Sequence, residues 1–211
     1  MEPAAKAKDI GTVRERIMTV ATDLSAKMGL EAVSIRDIAA TAQTSLSAIN
    51  YHFGSKTGLL EHLVHEHLEA IDAVREPLLI GLEQSDRPDL RAILKVVFLP
   101  TLNWMFGSTE DQVRSKFFSR ALVTPIPEIQ RLFAENATHL NRIVDLLEKC
   151  DLGHDRAEIY WRLHFTMGIE HLSFFDLSRH RNLARGLLQP YGKEELLERM
   201  VDYAEAGWRR S

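Results

Sequence analysis

Small and polar side chains dominate the segment between Thr44 and Lys56, and their types suit hydrogen bonding to a nucleic acid. Ser47, Asn50 and Tyr51 place a hydroxyl, an amide and a phenol in close succession. A helix that enters the major groove of DNA needs such groups, because bulky or acidic side chains would keep it from the base edges. These residue types therefore indicate a DNA-reading surface.

Three helices are predicted to position these side chains. Ser34 is a good N-cap with Asp37 as its capping-box partner, and Thr44 or Ser45 caps the helix that follows. This second helix is too short to be stable alone. A longer helix over Thr12–Met28, with one apolar face, supplies the backing.

The short second helix has its core face at Ile49 and Phe53, four residues apart. At about 100° per residue, small and polar side chains then point away from the core or lie on the flanks of that outward surface. These residues are Ser47, Ala48, Asn50, Tyr51 and His52. The direction of Leu46 stays open.

The segment from Thr12 to Leu63 resembles the tetracycline-repressor (TetR) family of transcriptional regulators. The resemblance rests on Ser-Ile-Arg-Asp-Ile-Ala from Ser34 and on Ile-Asn-Tyr-His-Phe-Gly-Ser-Lys from Ile49. The latter is similar to a subgroup whose recognition helix ends in Asn-Tyr-His-Phe. The family usually has Gly where Gln43 stands. Either the turn differs here, or Gln43 bears a strain of about 1 kcal/mol at positive φ.

The predicted DNA contacts divide into base reading and phosphate binding. Ser47, Ala48 and Asn50 are expected to read bases, and the resemblance implies that Tyr51 and His52 hold phosphates. For Tyr51 the alternative is packing against the first helix. The full predicted set is Arg36, Thr44, Ser45, Ser47, Ala48, Asn50, Tyr51, His52 and Lys56. The alternatives for Arg36 and Lys56 are pairing with a nearby acid and plain solvation, respectively.

The charge and composition of the chain are compatible with this interpretation. The 211 residues carry a net charge of −4. The first 56 residues hold seven Lys and Arg against six Asp and Glu, whereas the remainder holds nineteen against twenty-four. For DNA binding, the electric field at the contact surface matters more than the net charge of the chain. A lone cysteine, Cys150, and the lack of a signal peptide or apolar span predict a cytoplasmic protein.

Periodicity predicts an all-α chain of about nine helices. A DNA-binding domain over residues 10–56 is followed by a helical effector-binding and dimerisation domain over residues 57–211. The expected helices of the second domain are 57–83, kinked or split at Pro77, then 89–106, 109–122, 127–150, 155–177 and 193–210. The segment 179–192 is expected to be a loop.

The resemblance implies a small-molecule pocket in the second domain, lined mostly by apolar side chains. Large soft side chains concentrate between Phe98 and Met167, with a few polar ones on or near the same faces. This composition suits a small hydrophobic or aromatic effector. The candidate residues are Phe98, Trp104, Phe117, Phe118, Arg120, Trp161, His164, Phe165, Met167 and His171. For any single one of these aromatic residues, plain core packing is the competing interpretation.

The last two predicted helices are the expected dimer surface. Residues 155–177 become apolar nearly all round after Leu163, and residues 193–210 carry an apolar row ending at Trp208. Packing inside one chain is the alternative. A symmetric dimer would place two reading helices about 34–36 Å apart on a palindromic operator. By resemblance, the chain is a repressor released by its ligand.

A histidine cluster offers a different class of function. Imidazoles at His62, His65 and His67 could hold zinc in a helical metalloenzyme. The zincin motif needs histidines four residues apart, however, whereas His62 and His65 are three apart. The sequence therefore favours a regulator that is not an enzyme and has no cofactor.

Overall fold

The computed structural model describes residues 12–175, 182–187 and 191–210. Over these residues it contains ten α-helices and no β-strand. The helices are α1 (Val13–Met28), α2 (Ile35–Thr41), α3 (Leu46–Phe53), α4 (Lys56–Glu83), α5 (Leu90–Met105), α6 (Thr109–Leu122), α7 (Pro127–Glu135), α8 (Thr138–Lys149), α9 (Arg156–Phe175) and α10 (Lys193–Trp208). The all-α prediction is confirmed, and residues 179–181 and 188–190 of the predicted 179–192 loop lie outside the described residues.

Side-chain caps define where the early helices begin. Thr12 and Glu15 form a reciprocal capping box at α1, with the Thr12 amide donating to Glu15 Oε2 at 2.7 Å. Ser34 and Asp37 form the same box at α2, and the Ser34 bonds lower the pKa of the Asp37 carboxyl. These hydrogen bonds satisfy amides that an uncapped helix start would leave unpaired.

Helices α1, α2 and α3 share a core with the helices that follow. Ile17, Ile38 and Ile49 are fully buried, and Leu63 of α4 and Phe117 of α6 belong to the same cluster. Helix α1 packs mainly against α6. Helices α1, α2 and α3 are therefore braced by the later helices, which form the body of the protein, as well as by each other.

Helix α4 links helices α1, α2 and α3 to the body without a break. It runs through Pro77 for 28 residues, or about 42 Å at 1.5 Å per residue. The predicted split at Pro77 therefore does not occur. Its second half joins α5, α8, α9 and α10 around a large apolar core that includes Leu79 and Phe98.

One prediction about the body is wrong, and for the apolar row of the last helix the alternative of packing inside one chain is the one observed. The single helix expected over residues 127–150 is two helices, because α7 ends at Glu135 and α8 begins at Thr138. The apolar row of α10, from Leu196 to Trp208, is buried against α5 and α9 within its own chain. It is therefore already covered and is not available to a second copy. In the described part of the chain, no helix is long and apolar enough to cross a membrane.

Candidate nucleic-acid interface

The turn between α2 and α3 is tight and strained at one residue. Gln43 has a φ of 50°, a left-handed conformation that residues with a side chain seldom adopt. The amide of the next residue, Thr44, donates to Ala39 O at 3.0 Å and holds the chain in this path. Of the two alternatives for this turn, the strained glutamine is the one observed.

Helix α3 buries one face and presents the other to solvent. Ser45, rather than Thr44, caps the helix by accepting a hydrogen bond from the Ala48 amide at 3.1 Å. Ile49 and Phe53 are buried as predicted. The opposite face is free of acidic side chains, since none occurs between Leu46 and Phe53. Leu46, whose direction the sequence left open, is 43% exposed.

The predicted base-reading and phosphate-binding residues share this outward surface. Ser47 and Asn50 are exposed, and Ala48 is half-buried beside them. Tyr51 is 86% exposed, so it does not pack against α1. Its ring meets the half-buried ring of His52 edge to face, with the centroids 5.2 Å apart. The arrangement places hydroxyl, amide and imidazole groups on one convex surface.

The end of α3 is anchored by aromatic contacts. The Phe53 ring lies edge to face with the His62 ring at 5.5 Å, and the Arg14 guanidinium sits 5.6 Å from the Phe53 centroid. These contacts tie α3 to α4 and α1. Tyr51 and His52 therefore stand on a backbone that is held from two sides.

The two cations predicted to touch DNA differ in their surroundings. Arg36 is exposed and has no ion pair within the described residues. The Lys56 ammonium donates to the backbone carbonyl of Glu31 at 2.8 Å, and partial burial lowers the pKa of Lys56. Lys56 thus fixes the loop before α2 as well as carrying charge at the start of α4.

The ten residues predicted to line an effector pocket do not surround one cavity. Phe98 and Phe117 are fully buried in two different cores, and Trp104 and Phe118 meet edge to face at 5.9 Å in a third. Trp161 and Phe165 stack on the surface of α9, 59% and 62% exposed, so they do not line an enclosed pocket in this chain.

The remaining predicted pocket residues are similarly dispersed. Arg120 donates to the Lys27 carbonyl, next to the end of α1. His164 is exposed, with its ring 6.0 Å from that of Trp161. Met167 packs against the main core, and partial burial lowers the pKa of His171.

A buried polar pair joins helices of the body, and its Arg75 was not singled out from the sequence. Glu170 of α9 accepts a hydrogen bond from the Thr101 hydroxyl of α5, and Arg75 of α4 donates to the Val97 carbonyl of α5 at 3.4 Å. Burial raises the pKa of Glu170 to about 7 and lowers that of Arg75, although each attracts the other's charge. The sequence feature that could have revealed this buried pair is the position of Arg75 on the apolar stripe of α4, between Ile71 and Leu79.

The histidines proposed for a metal site do not converge. His62 Nδ1 lies 2.8 Å from Gly58 O and His67 Nδ1 lies 2.6 Å from Leu63 O, so each ring is bound to its own helix backbone. His65 faces Glu69 at 3.6 Å. Within the described residues, no group of three or more His, Cys, Asp or Glu side chains is arranged to hold a metal ion.

Two family models match the chain. "Bacterial regulatory proteins, tetR family" covers residues 17–63. "Tetracyclin repressor-like, C-terminal domain" covers residues 95–207, which is more than half of the chain.

Curated relatives and solved structures resemble the chain in different ways. A probable HTH-type transcriptional regulator, YttP of Bacillus subtilis, is 30% identical over 41% of each chain. The probable acrEF/envCD operon repressor of Escherichia coli is 30% identical over 46% of this chain and 52% of the relative. The chain thus spans about half the length of these relatives or less.

The fold itself is found in solved structures. The crystal structure of a putative TetR-family transcriptional regulator from Rhodococcus sp. superposes with a TM-score of 0.66. The alignment covers 93% of this chain and 98% of that one, at 15% sequence identity. At this identity, the likeness shows a shared fold.

Proposed function

The chain belongs to the tetracycline-repressor (TetR) family of bacterial regulatory proteins, and from that membership we propose that it is a sequence-specific DNA-binding transcriptional regulator that reads its operator with α3. The helical metalloenzyme considered from the histidine cluster has no support in the arrangement of those histidines.

The observation that carries this proposal is the outward face of α3. It combines exposed hydrogen-bonding side chains with the absence of any acidic residue, and it stands on a fully buried core face. Ser47, Ala48 and Asn50 are proposed to read bases. Phosphate contacts are proposed for the neighbouring residues Arg36, Thr44, Ser45, Tyr51, His52 and Lys56. Because α3 lacks an arginine that could fork onto guanine, each base contact is modest and one copy alone binds weakly.

A homodimer is proposed to supply the second reading helix. Trp161, Phe165 and Leu172 of α9 are all more than half exposed and lie along one side of the helix, at spacings of four and seven. A contiguous exposed apolar surface of this kind marks an interaction site. Between α9 and α10, a groove of about 260 Å³ that includes Phe165 and Tyr203 adds depth to this surface. The proposed dimer therefore uses α9 and the exposed side of α10.

The regulator is proposed to act as a repressor that a small, largely hydrophobic ligand releases. The E. coli relative is named an operon repressor. A ligand in the body would act through α4, which runs unbroken from the reading helices into the main core. The ligand releases DNA only if it binds more tightly to a form of the dimer in which the two α3 helices have a spacing that the operator does not fit.

Selection of bound sequences from a random duplex pool tests this function. We expect enrichment of a palindrome whose half-sites are centred about one helical turn apart. Ser47→Glu places a carboxylate on the reading face and should abolish the enrichment, because the acid repels phosphate. Ala134→Glu puts the same charge on the exposed surface of α7 and serves as the matched control. If the unaltered chain enriches no sequence over bulk DNA, the proposal is wrong.

A further inference from the structure

A cleft of about 640 Å³ lies where the reading helices meet the body. Its walls come from α1, α4 and α6, with Met18, Leu63 and Val113 giving it an apolar lining. None of the residues predicted to line an effector pocket borders it. Its volume is in the range of cavities that hold drug-sized molecules. The cleft is therefore a second candidate site, separate from the body interior.

One buried side chain in this cleft, His67, has a ring nitrogen without a hydrogen-bond partner among the described residues. His67 is 5% exposed, and its ring packs 4.7 Å from Phe117 and 5.6 Å from Trp104. Its Nδ1 lies 2.6 Å from the Leu63 carbonyl, which can only accept, so Nδ1 carries the proton. Burial lowers the pKa of His67 to about 4, and the ring is neutral near pH 7.

The other ring nitrogen is consequently an unused acceptor. His67 Nε2 is shielded from water and has no partner among the described residues. Leaving a buried acceptor unpaired is unfavourable, because the atom has lost its hydrogen bond to water without gaining another. Such an atom gains most from a donor that enters the cleft with a ligand.

The side chains lining the cleft carry a net negative charge, which favours a cation, although Arg114 places a positive charge near His67. Four carboxylates and two guanidinium groups border it. Three of the carboxylates already have partners, since Glu15 bonds the Thr12 amide, Asp23 pairs with Lys27 and Glu110 pairs with Arg114. Glu66, next to His67 on α4, forms no ion pair within the described residues. The cleft is thus bordered by a carboxylate without an ion pair and by the ring that carries the unused acceptor.

We propose that this cleft binds a small amphipathic amine. Its ammonium group donates a hydrogen bond to His67 Nε2 and is neutralised by Glu66, while its apolar body packs against Met18, Leu63 and Val113. The regulatory consequence rests on the proposed function, because an occupant touching α1, α4 and α6 together would alter how the reading helices sit on the body. Binding itself requires no DNA.

Titration of the full chain with 2-phenylethylamine tests the proposal. Calorimetry measures affinity, and ¹⁵N–¹H spectra of the histidine rings report the Nε2 environment directly. We expect saturable binding with a change in the His67 Nε2 resonance. The N,N,N-trimethyl analogue keeps the charge but cannot donate, and 3-phenylpropionate reverses the charge; both should bind at least about tenfold more weakly, as expected for loss of a charge-assisted hydrogen bond.

Variants separate the site from nonspecific binding. His67→Phe keeps the ring stack and removes the acceptor, and Glu66→Gln removes the charge from an exposed position where folding is not at risk. Each should weaken 2-phenylethylamine binding about tenfold. Glu135→Gln, an equally exposed carboxylate on α7, should have no effect.

The opposite results would overturn the site. Absence of saturable binding, equal affinity for the trimethyl analogue or the carboxylate, or unchanged affinity in Glu66→Gln would each do so. Since these titrations contain no DNA, their failure leaves the operator selection unaffected. Failure of the selection alone leaves an amine site without a role in DNA binding.

Discussion

Gln43 holds the turn between α2 and α3 at a φ of 50°, where a side chain costs about 1–2 kcal/mol. Glycine removes this cost but loses more backbone entropy on folding. We expect Gln43→Gly to raise the free energy of unfolding by about 0.5–1 kcal/mol, measured by urea denaturation. Gln43→Ala keeps the Cβ and should give no such gain. Equal stability of the two variants would mean that the turn is not strained.

Lys56 combines a structural hydrogen bond with a proposed phosphate contact. If its ammonium holds one phosphate, Lys56→Ala should reduce the slope of log affinity against log salt by about 0.9, with sequence preference largely unchanged. The measurement is operator binding across a salt series. Lys149→Ala, an exposed lysine at the end of α8, is the control and should leave the slope as it is. An unaltered slope in Lys56→Ala would mean that this lysine binds the Glu31 carbonyl and no phosphate.

Local chemistry made much of the reading surface predictable. The capping box at Ser34 and the buried pair Ile49 and Phe53 follow from spacing within a few residues, and the structure confirms them. The hydrogen bond from Lys56 to the Glu31 carbonyl does not follow from local spacing, because it joins residues 25 positions apart. Such a contact depends on how helices pack, which periodicity does not specify.

At the level of helices, the same limitation explains the missed break between α7 and α8 and the assignment of α10 that stayed open. Ile129, Leu132, Leu140 and Ile143 keep one helical period across the break between α7 and α8, and neither Gly nor Pro marks it. The break occurs at Asn136, and asparagine occurs both within helices and at their ends. For α10, periodicity identified the apolar face but did not show whether that face packs inside its own chain or against a second copy.

Glu170 connects α9 to α5 and faces the charge of Arg75 on α4. Its pKa of about 7 in the folded chain exceeds that of an unfolded Glu, so the folded state retains a proton that the unfolded state loses. The contribution of Glu170 to stability is thus complete below about pH 4.3 and falls by roughly 3 kcal/mol as the pH rises through 7.

Glutamine has no proton to lose at this position. The difference in free energy of unfolding between the parent chain and Glu170→Gln should therefore change steadily between pH 5 and 7.5, as followed by urea denaturation at each pH. His67, with its pKa lowered to about 4, contributes a slope of opposite sign that cancels in this difference. Glu135→Gln, at an exposed site, should show no such trend. A constant difference would mean that Glu170 titrates normally.

For the whole molecule, the proposed DNA recognition depends on how two copies meet. One α3 has few contacts with which to select a site, whereas a two-fold dimer doubles them and fixes their spacing. The row of Leu196, Met200 and Val201 on α10 is used inside the chain. The proposed interface therefore depends on the stacked pair Trp161 and Phe165 of α9.

A charge placed in that stacked pair should separate the copies. Phe165→Glu would bury a carboxylate in the proposed interface, and an unpaired buried charge costs several kcal/mol. We expect sedimentation equilibrium to show a dimer for the parent chain and a monomer for Phe165→Glu, with operator affinity reduced at least about tenfold. Val123→Glu alters an equally exposed apolar residue between α6 and α7 and should remain dimeric. A parent chain that is monomeric at micromolar concentration, or a dimeric Phe165→Glu, would exclude this face as the interface.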